Sequence, residues 1–327
     1  MLTKECNKDV AVVGDVNVDI IVHFPEYLNE ERTRVNFKEP ILLGGGTAAN
    51  SAVSLSRLGI NTAFVGTVGD DQYGYYVAND LQEEGIDTVN LIVDPGVNTV
   101  SVFAFVDEYG ERYLWAWPRE NQSFKKLELE KVDMSLLRDV DWIHSSGMIV
   151  VADTSARHSI IEIFKKAYAQ GITTSFDLNL RVNDNSIDQK YKNAILEIVD
   201  SCNYVLGSGE EEFNFLNSEQ DWIASAQSIV SEDRTVITRM GARGSMAFTS
   251  EKRITRRAFD VEVCDTVGAG DVYNGGFIAA RLQGLSLGRS LEAGNAAAGY
   301  VVSRDGARQS PTAKELDKFL QTHSKVE

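Results

Sequence analysis

Cys264-Asp265-Thr266-Val267-Gly268-Ala269-Gly270-Asp271, running on into Val272-Tyr273-Asn274-Gly275-Gly276-Phe277, decides how this chain is read. Two small glycine-bearing turns without a bulky side chain stand directly before an apolar, helix-like run from Phe277 to Leu282. Small residues let successive backbone N–H groups converge on one point, and a helix N-terminus adds the positive end of its dipole. The backbone of Val267, Gly268, Ala269 and Gly270 therefore offers an anion site suited to phosphate. Asp271 falls in or beside the first turn, where a carboxylate repels a phosphate unless a cation or a transferable proton lies between them. The chemistry this implies is phosphoryl transfer, with Asp271 taking a proton from an attacking hydroxyl. A helix capped by aspartate after a glycine turn would use the same residues, and the stretch alone does not separate the two.

Upstream, short apolar runs alternate with helical periods. Val10-Ala11-Val12-Val13-Gly14 reads as a buried first strand, Thr47 to Leu58 as a helix closed by Gly59, and Thr62 to Gly66 as the next strand. The helix Tyr73 to Glu84 stops at Gly85, and further strands are expected at Trp142–Gly147, Thr173–Asp177, 203–206 and 235–238. A helix from Thr154 to Gln170, two long helices in 271–283 and 287–304, and a charged helix after Pro311 complete the pattern. This is α/β alternation around a mainly parallel sheet. Residues 98–117 break it with a β-hairpin turning at 107–110, and segment 16–44 has short alternating stretches with Pro25 and Pro40. The two together are expected to form a small separate β-sheet, segments 16–44 and 98–117, on a body made of 1–15, 45–97 and 118–327. Trp115 and Trp117 share one face of that hairpin by strand alternation, suited to packing or to a sugar.

Composition narrows the function. A net charge of −16 over 327 residues argues against nucleic acid as a partner, which needs concentrated Lys and Arg. The cysteines, Cys6, Cys202 and Cys264, are odd in number and far apart, which reads as reduced thiols of a cytoplasmic protein. No apolar run approaches membrane-spanning length, so no membrane partner is expected. The histidines lack metal-ligand spacing. A nicotinamide fingerprint and a P-loop are both missing from the expected places.

The motif Asp-Thr-x-Gly-Ala-Gly-Asp before an apolar helix resembles the signature of the ribokinase-like, or PfkB, carbohydrate kinases. Gly45-Gly46-Thr47-Ala48-Ala49-Asn50 is similar to that family's N-terminal glycine motif, and Val13-Gly14-Asp15-Val16-Asn17-Val18-Asp19 to its opening strand. Order and separation match over nearly the whole chain. The resemblance implies a three-layer α/β/α fold with a β-sheet lid, ATP and Mg²⁺ as cofactors, a small sugar as acceptor and a homodimer formed through the lid. It places the sugar at Asn17, Asp19, Gly45, Gly46 and Asn50, and Asp271 as the base beside Gly268, Ala269 and Gly270. Gly44 adds a further glycine to that turn with no meaning attached.

Phe176-Asp177-Leu178-Asn179-Leu180-Arg181 resembles the Asp-x-Asn-x-Arg of fructokinase- and 2-keto-3-deoxygluconate-kinase-like members, with Arg181 expected on a phosphate or a sugar-acid carboxylate. For the nucleotide the similar positions are Thr266, Gly241, Gly244 and Asn295, with Arg239 standing where a threonine is common and able to grip phosphate bidentately. Glu212 matches the family's metal-linked acid, through water to Mg²⁺, though Gly209 replaces the usual asparagine before it. Asp265, Val267, Val301, Arg304, Gly306 and Ser310 match the positions that hold a monovalent cation such as K⁺. A nucleoside kinase of the same family, or a non-catalytic sugar or nucleotide sensor on this fold, is the alternative reading.

Overall fold

Val10, Ala11, Val12 and Val13 are all buried, and a strand apolar on both faces is stable only inside a sheet covered on each side. The computed structural model describes residues 9–23, 39–106, 112–117, 120–182, 184, 186–216, 221–304, 306 and 308–326. Cys6, Pro25, the 107–110 turn and the Trp117 ring, all singled out above, lie outside the described residues and side chains.

In chain order the strands are β1 (Val10–Val13), β2 (Asn17–His23), β3 (Ile41–Gly45), β4 (Thr62–Gly69), β5 (Leu91–Asp94), β6 (Ser101–Val106) and β7 (Arg112–Trp117). They continue as β8 (Trp142–Ser146), β9 (Thr173–Asp177), β10 (Tyr204–Ser208), β11 (Thr235–Arg239), β12 (Ser245–Phe248) and β13 (Arg253–Arg256). The helices are α1 (Thr47–Arg57), α2 (Gln72–Glu83), α3 (Ser155–Ala169), α4 (Gln189–Val199) and the single turn α5 (Asn214–Leu216). After them come α6 (Trp222–Ser228), α7 (Ala269–Leu282), α8 (Leu287–Val302) and α9 (Ala313–Thr322).

The main sheet has nine strands in the order β13-β12-β11-β10-β9-β8-β1-β4-β5. All pairs are parallel except β11–β12 and β12–β13, the antiparallel edge. Period-two alternation in β1 divides the core: Val10 and Val12 join α1, α7 and α8 on one face, and Ala11 and Val13 join α3 and α4 on the other. The result is three layers, helix on sheet on helix. A separate four-stranded sheet, β3-β2-β6-β7, pairs β2 antiparallel with β3 and parallel with β6. In that sheet Asn17 lies opposite Gly45 and Asp19 opposite Leu43. Ile41, Leu42, Tyr113, Leu114 and Trp115 leave much of their apolar surface exposed there.

Helix α7 is the hinge of the architecture because small residues let it touch both α1 and α8. A methyl group on Gly275 would overlap Ser54 of α1, and one on Gly276 would sit 2.8 Å from the Ala297 Cβ of α8. Gly276→Ala is therefore expected to lower unfolding stability by about 1–3 kcal/mol through crowding, measured by denaturant titration. A gain of about 1 kcal/mol, the usual effect of alanine in a free helix, would show that the crossing is not tight.

Candidate active site

Strand β1 is followed by β4 on one side, while the chain later returns to β8 on its other side. In an open parallel sheet such a reversal leaves a crevice at the carboxyl ends of the strands. A cleft of about 410 Å³ lies there. Asp15 enters it after β1, Met148 after β8, and Asn179 and Arg181 after β9. Asn17 and Asp19 reach it from β2, and Gly46, Thr47 and Asn50 from the start of α1. The opposite wall is Thr266, Val267, Gly268, Ala269, Gly270 and Asp271. Of the sugar-side and anion-loop residues expected from the sequence, all but Gly45 line this one cleft; Gly45 lies beside it, opposite Asn17 in the lid sheet.

The two helix N-termini that meet in this cleft are differently occupied. Gly46 precedes α1 at a φ of 104°, where a side chain is strained, and a Cβ would lie 2.7 Å from the Asp15 carbonyl. The Asp15 carboxylate accepts hydrogen bonds from Thr47 N at 2.9 Å and Ala48 N at 3.2 Å, so the protein fills this terminus with its own anion. Burial pushes the Asp15 carboxyl above its usual range, against the pull of these two N–H groups.

At α7 the arrangement is open. Gly268 takes the left-handed conformation, φ 77°, as the residue before the helix. Val267 N donates to Asp265 Oδ1 at 3.0 Å and Ala269 N to the Thr266 carbonyl at 3.3 Å. The N–H groups of Gly268, Gly270 and Asp271 have no acceptor among the described residues, as the first turn of a helix requires of an external anion. The four-residue backbone site expected from sequence is therefore centred on the two glycines.

Asp271 is 9% exposed, and its Oδ2 accepts a hydrogen bond from Asn50 Nδ2 at 3.0 Å, across the α1–α7 contact. Ser51 Oγ binds the Asp271 carbonyl at 3.2 Å. Burial pushes the Asp271 carboxyl up to about 8; the Asn50 bond works against this, and the Asp177 and Asp15 charges add to it.

Beneath the cleft, Arg239, expected on the nucleotide side, is bound to a buried aspartate. Its guanidinium donates to Asp177 Oδ2 at 2.9 Å and Oδ1 at 2.7 Å, to Asn274 Oδ1 at 2.8 Å and to the Gly270 carbonyl at 3.4 Å. Asn274 Nδ2 also donates to Asp177, at 2.7 Å. Arg239 thus ties the end of β11 to the end of β9 and to the first turn of α7. Glu212, in a π-helical turn over Gly209–Phe213, is buried in the same place, its oxygens accepting from Leu180 N at 2.6 Å and Ser208 N at 2.5 Å. Burial, then the Asp177 charge, raises its carboxyl to about 7.

The remaining expected residues form two groups that, apart from Val267, lie outside the cleft lining. Asn295 donates to the carbonyls of Arg256 and Arg257, both at 3.1 Å, and a Cβ on Gly244 would strike the same segment. Gly241 begins the tight turn that delivers Gly244 and has open space where a side chain would stand. Gly306 N donates to Asp265 Oδ2 at 3.0 Å, and Arg304 N to the Val301 carbonyl at 3.0 Å, so Asp265, Val267, Val301, Arg304 and Gly306 lie along connected backbone. Ser310 gives its carbonyl to Arg57 at 3.1 Å. No cluster of three or more acidic, histidine or cysteine side chains suited to a metal occurs among the described residues.

Asp15, Thr47 and Met148 were not singled out by sequence as site residues, and Asp177 and Asn179 were read only as parts of the Asp-x-Asn-x-Arg motif, with no role of their own. Asp15, Thr47, Asp177 and Asn179 sit inside the quoted motifs, but nothing in the spacing tells a helix cap from a ligand. Asn179 has a positive φ of 33° and donates to Thr47 Oγ1 at 3.0 Å, a non-glycine outlier of the kind that concentrates at binding sites. Met148 carries no sequence signal.

The sheet, the open helix terminus and the buried carboxylate suit a small-molecule phosphotransferase. The chain matches the pfkB family carbohydrate kinases over residues 7–314 and belongs to that family. It is 28% identical to an ATP-dependent ribose-1-phosphate kinase of Halopiger xanaduensis, over 95% of this chain and 97% of that one. It is 30% identical to a fructokinase of Vibrio alginolyticus, with 95% and 98% covered. A putative ribokinase II from E. coli, solved with ATP and Mg²⁺, shares the fold at a TM-score of 0.84, 23% identity and 97% and 100% coverage. The fold is accordingly ribokinase-like, and the chain is a kinase. No helix among the described residues is long and apolar enough to cross a membrane.

A carboxyl raised above its unfolded value binds more protons in the native state, so its contribution to stability falls as pH rises from about 4 to about 8. Asp271→Asn removes that penalty. The variant is expected to be more stable than wild type at pH 8, by on the order of a few kcal/mol, and to differ little near pH 4. Thermal unfolding at both pH values checks this; equal shifts at the two would contradict the buried-carboxyl account.

Proposed function

We propose that this kinase transfers the γ-phosphoryl group of ATP to a primary hydroxyl of a small sugar, with Asp271 as general base. The observation that carries the reading is the placement of Asp271. Its carboxylate is buried beside the open N–H groups of Gly268 and Gly270, in one cleft with Asn17, Asp19 and Asn50. The fructokinase and ribose-1-phosphate kinase relatives support a sugar acceptor and ATP as donor.

In this mechanism Asn17, Asp19 and Asn50 bind the sugar hydroxyls, while Gly45 and Gly46 let the ring approach the backbone. Asn50 holds Asp271 by Oδ2, leaving Oδ1 to take the proton as the hydroxyl attacks phosphorus. The Gly268 and Gly270 N–H groups, with the α7 dipole, stabilise the charge that gathers on the transferring phosphoryl oxygens. Arg181 is exposed at the cleft, its Nε 3.2 Å from Met148 Sδ, and supplies positive charge for phosphate or an acidic acceptor group. Thr266, Gly241, Gly244 and Asn295 frame the nucleotide side; Arg239 acts there by fixing α7 rather than by touching phosphate.

Mg²⁺ bound with the ATP phosphates would neutralise part of their charge and would keep much of its own hydration. Glu212, with both oxygens on backbone N–H groups, fits only a water-mediated part in this. The Asp265–Val267 and 301–310 segments are where K⁺ would find backbone oxygens. Segments 16–44 and 98–117 act as a lid over the body, and the apolar surface at Leu42, Leu114 and Trp115 is what a second copy would cover. A cytoplasmic site of action suits this chemistry.

The test is ATP consumption with Mg²⁺ and K⁺ over pentoses, hexoses, keto-sugar acids, sugar phosphates and nucleosides. Turnover with a sugar is expected, and Asp271→Asn is expected to lower kcat by roughly 10²–10⁴. Near-wild-type turnover of the variant would overturn the base assignment. Turnover confined to nucleosides would overturn the acceptor class.

A further inference from the structure

Gly44, the extra glycine of the N-terminal motif, marks a buried contact away from the cleft lining. A methyl group there would overlap both the Asp80 carboxylate of α2 and the Arg308 guanidinium. Arg308 is 8% exposed; its Nε donates to the Gly44 carbonyl at 2.6 Å, and its Nη2 lies 3.2 Å from Asp80 Oδ2. An arginine is rarely buried unless its partners justify the desolvation. Here the partners are the penultimate residue of lid-sheet strand β3, through Nε, and the Asp80 carboxylate of a body helix, an ion pair in which neither Nη1 nor Nη2 makes a hydrogen bond among the described residues.

The contact joins two parts of the site. Gly44 precedes Gly45 and Gly46, the backbone proposed to receive the sugar, and lies opposite Val18 in β2, between Asn17 and Asp19. Arg308 stands two residues beyond Gly306, whose N–H is bound to Asp265, and Asp265 also holds Val267 of the anion loop. Arg57 at the end of α1 donates to the Arg308 carbonyl at 2.8 Å and pairs with Glu84, fastening the same loop to the helix that begins at the cleft. Bonded groups therefore link the acceptor strands to Arg308, and link Gly306, two positions earlier in sequence, to the phosphate-binding turn.

We infer that Arg308 is a positioning residue that couples acceptor binding at the β2–β3 strands to nucleotide binding at the Thr266–Gly270 loop. The inference rests on the sugar and ATP assignments made above. Asp80 orients the guanidinium, and Gly44 is glycine so that the two charged groups can reach the strand backbone. Closing β3 over the acceptor then pulls on the loop through Gly44, Arg308 and Gly306, and nucleotide binding acts in the reverse direction with the same factor.

The experiment measures the dissociation constant of a non-hydrolysable ATP analogue, with Mg²⁺, in the absence and presence of the acceptor found by the turnover panel. Wild type is expected to bind the analogue about fivefold or more tightly with acceptor present. Arg308→Met and Gly44→Ala break the same contact from opposite sides. Each is expected to bring that ratio close to one while analogue affinity without acceptor stays within about twofold. Arg308→Lys, which keeps the charge but loses the Nε geometry, is expected to give a ratio between those variants and wild type. A ratio near one in wild type, or a wild-type ratio in either folded variant, overturns the inference. Should one variant fail to fold, the other and Arg308→Lys decide. Failure of the kinase assignment would instead show as no acceptor phosphorylation by wild type, so the two failures are distinct.

Discussion

One contact organises this molecule: the bond from Asn50 of α1 to the buried carboxylate of Asp271 in the first turn of α7. It requires two helices to begin at the same point and to run close enough for short side chains to meet. Ser51, Ser54, Gly275 and Gly276 make that approach possible, since anything larger on α7 would strike α1 or α8. The sheet supplies the point of meeting, because the reversal of strand order at β1 opens the crevice where both helices start.

The charges around this contact are arranged in layers. Asp15 fills the N-terminus of α1, so an incoming anion is directed to α7. Asp177, Arg239, Asn274 and Glu212 form a buried network under that terminus and hold it from below. The network lifts the proton affinity of Asp271 through Asp177 and moderates it through Arg239, with burial as the larger cause. A carboxylate kept near neutrality in its proton affinity is suited to taking a proton in the transition state. It also destabilises the folded chain, as functional sites commonly do.

Much of this was legible in the sequence. The Thr266–Asp271 turn and the Asn17, Asp19, Gly46 and Asn50 set converge as the motifs imply, because backbone-determined sites leave glycines and small residues behind in fixed order. The helices at 47–57, 72–83 and 155–169 lie within a residue or two of their expected ends, where glycine and polar caps punctuate the chain. The antiparallel edge β12–β13 was not read, since short strands at a sheet edge carry little pattern; helix α4 was not read either, although Tyr191, Ala194, Ile195, Ile198 and Val199 recur there at helical spacing. Arg239 shows the limit most clearly. An arginine at a strand end fits a phosphate or a buried aspartate equally well, and only the fold reveals its bond to Asp177, 62 positions away in sequence.

The central claim is that Asp271 takes the acceptor proton, and its proton affinity in the free enzyme makes that directly measurable. The pH dependence of kcat/KM for the acceptor reports the free-enzyme base. The account predicts a rise of about tenfold per pH unit below neutrality, levelling near pH 8, with the inflection lost from the residual activity of Asp271→Asn. A flat profile through that range, or the same inflection in the variant, would contradict it.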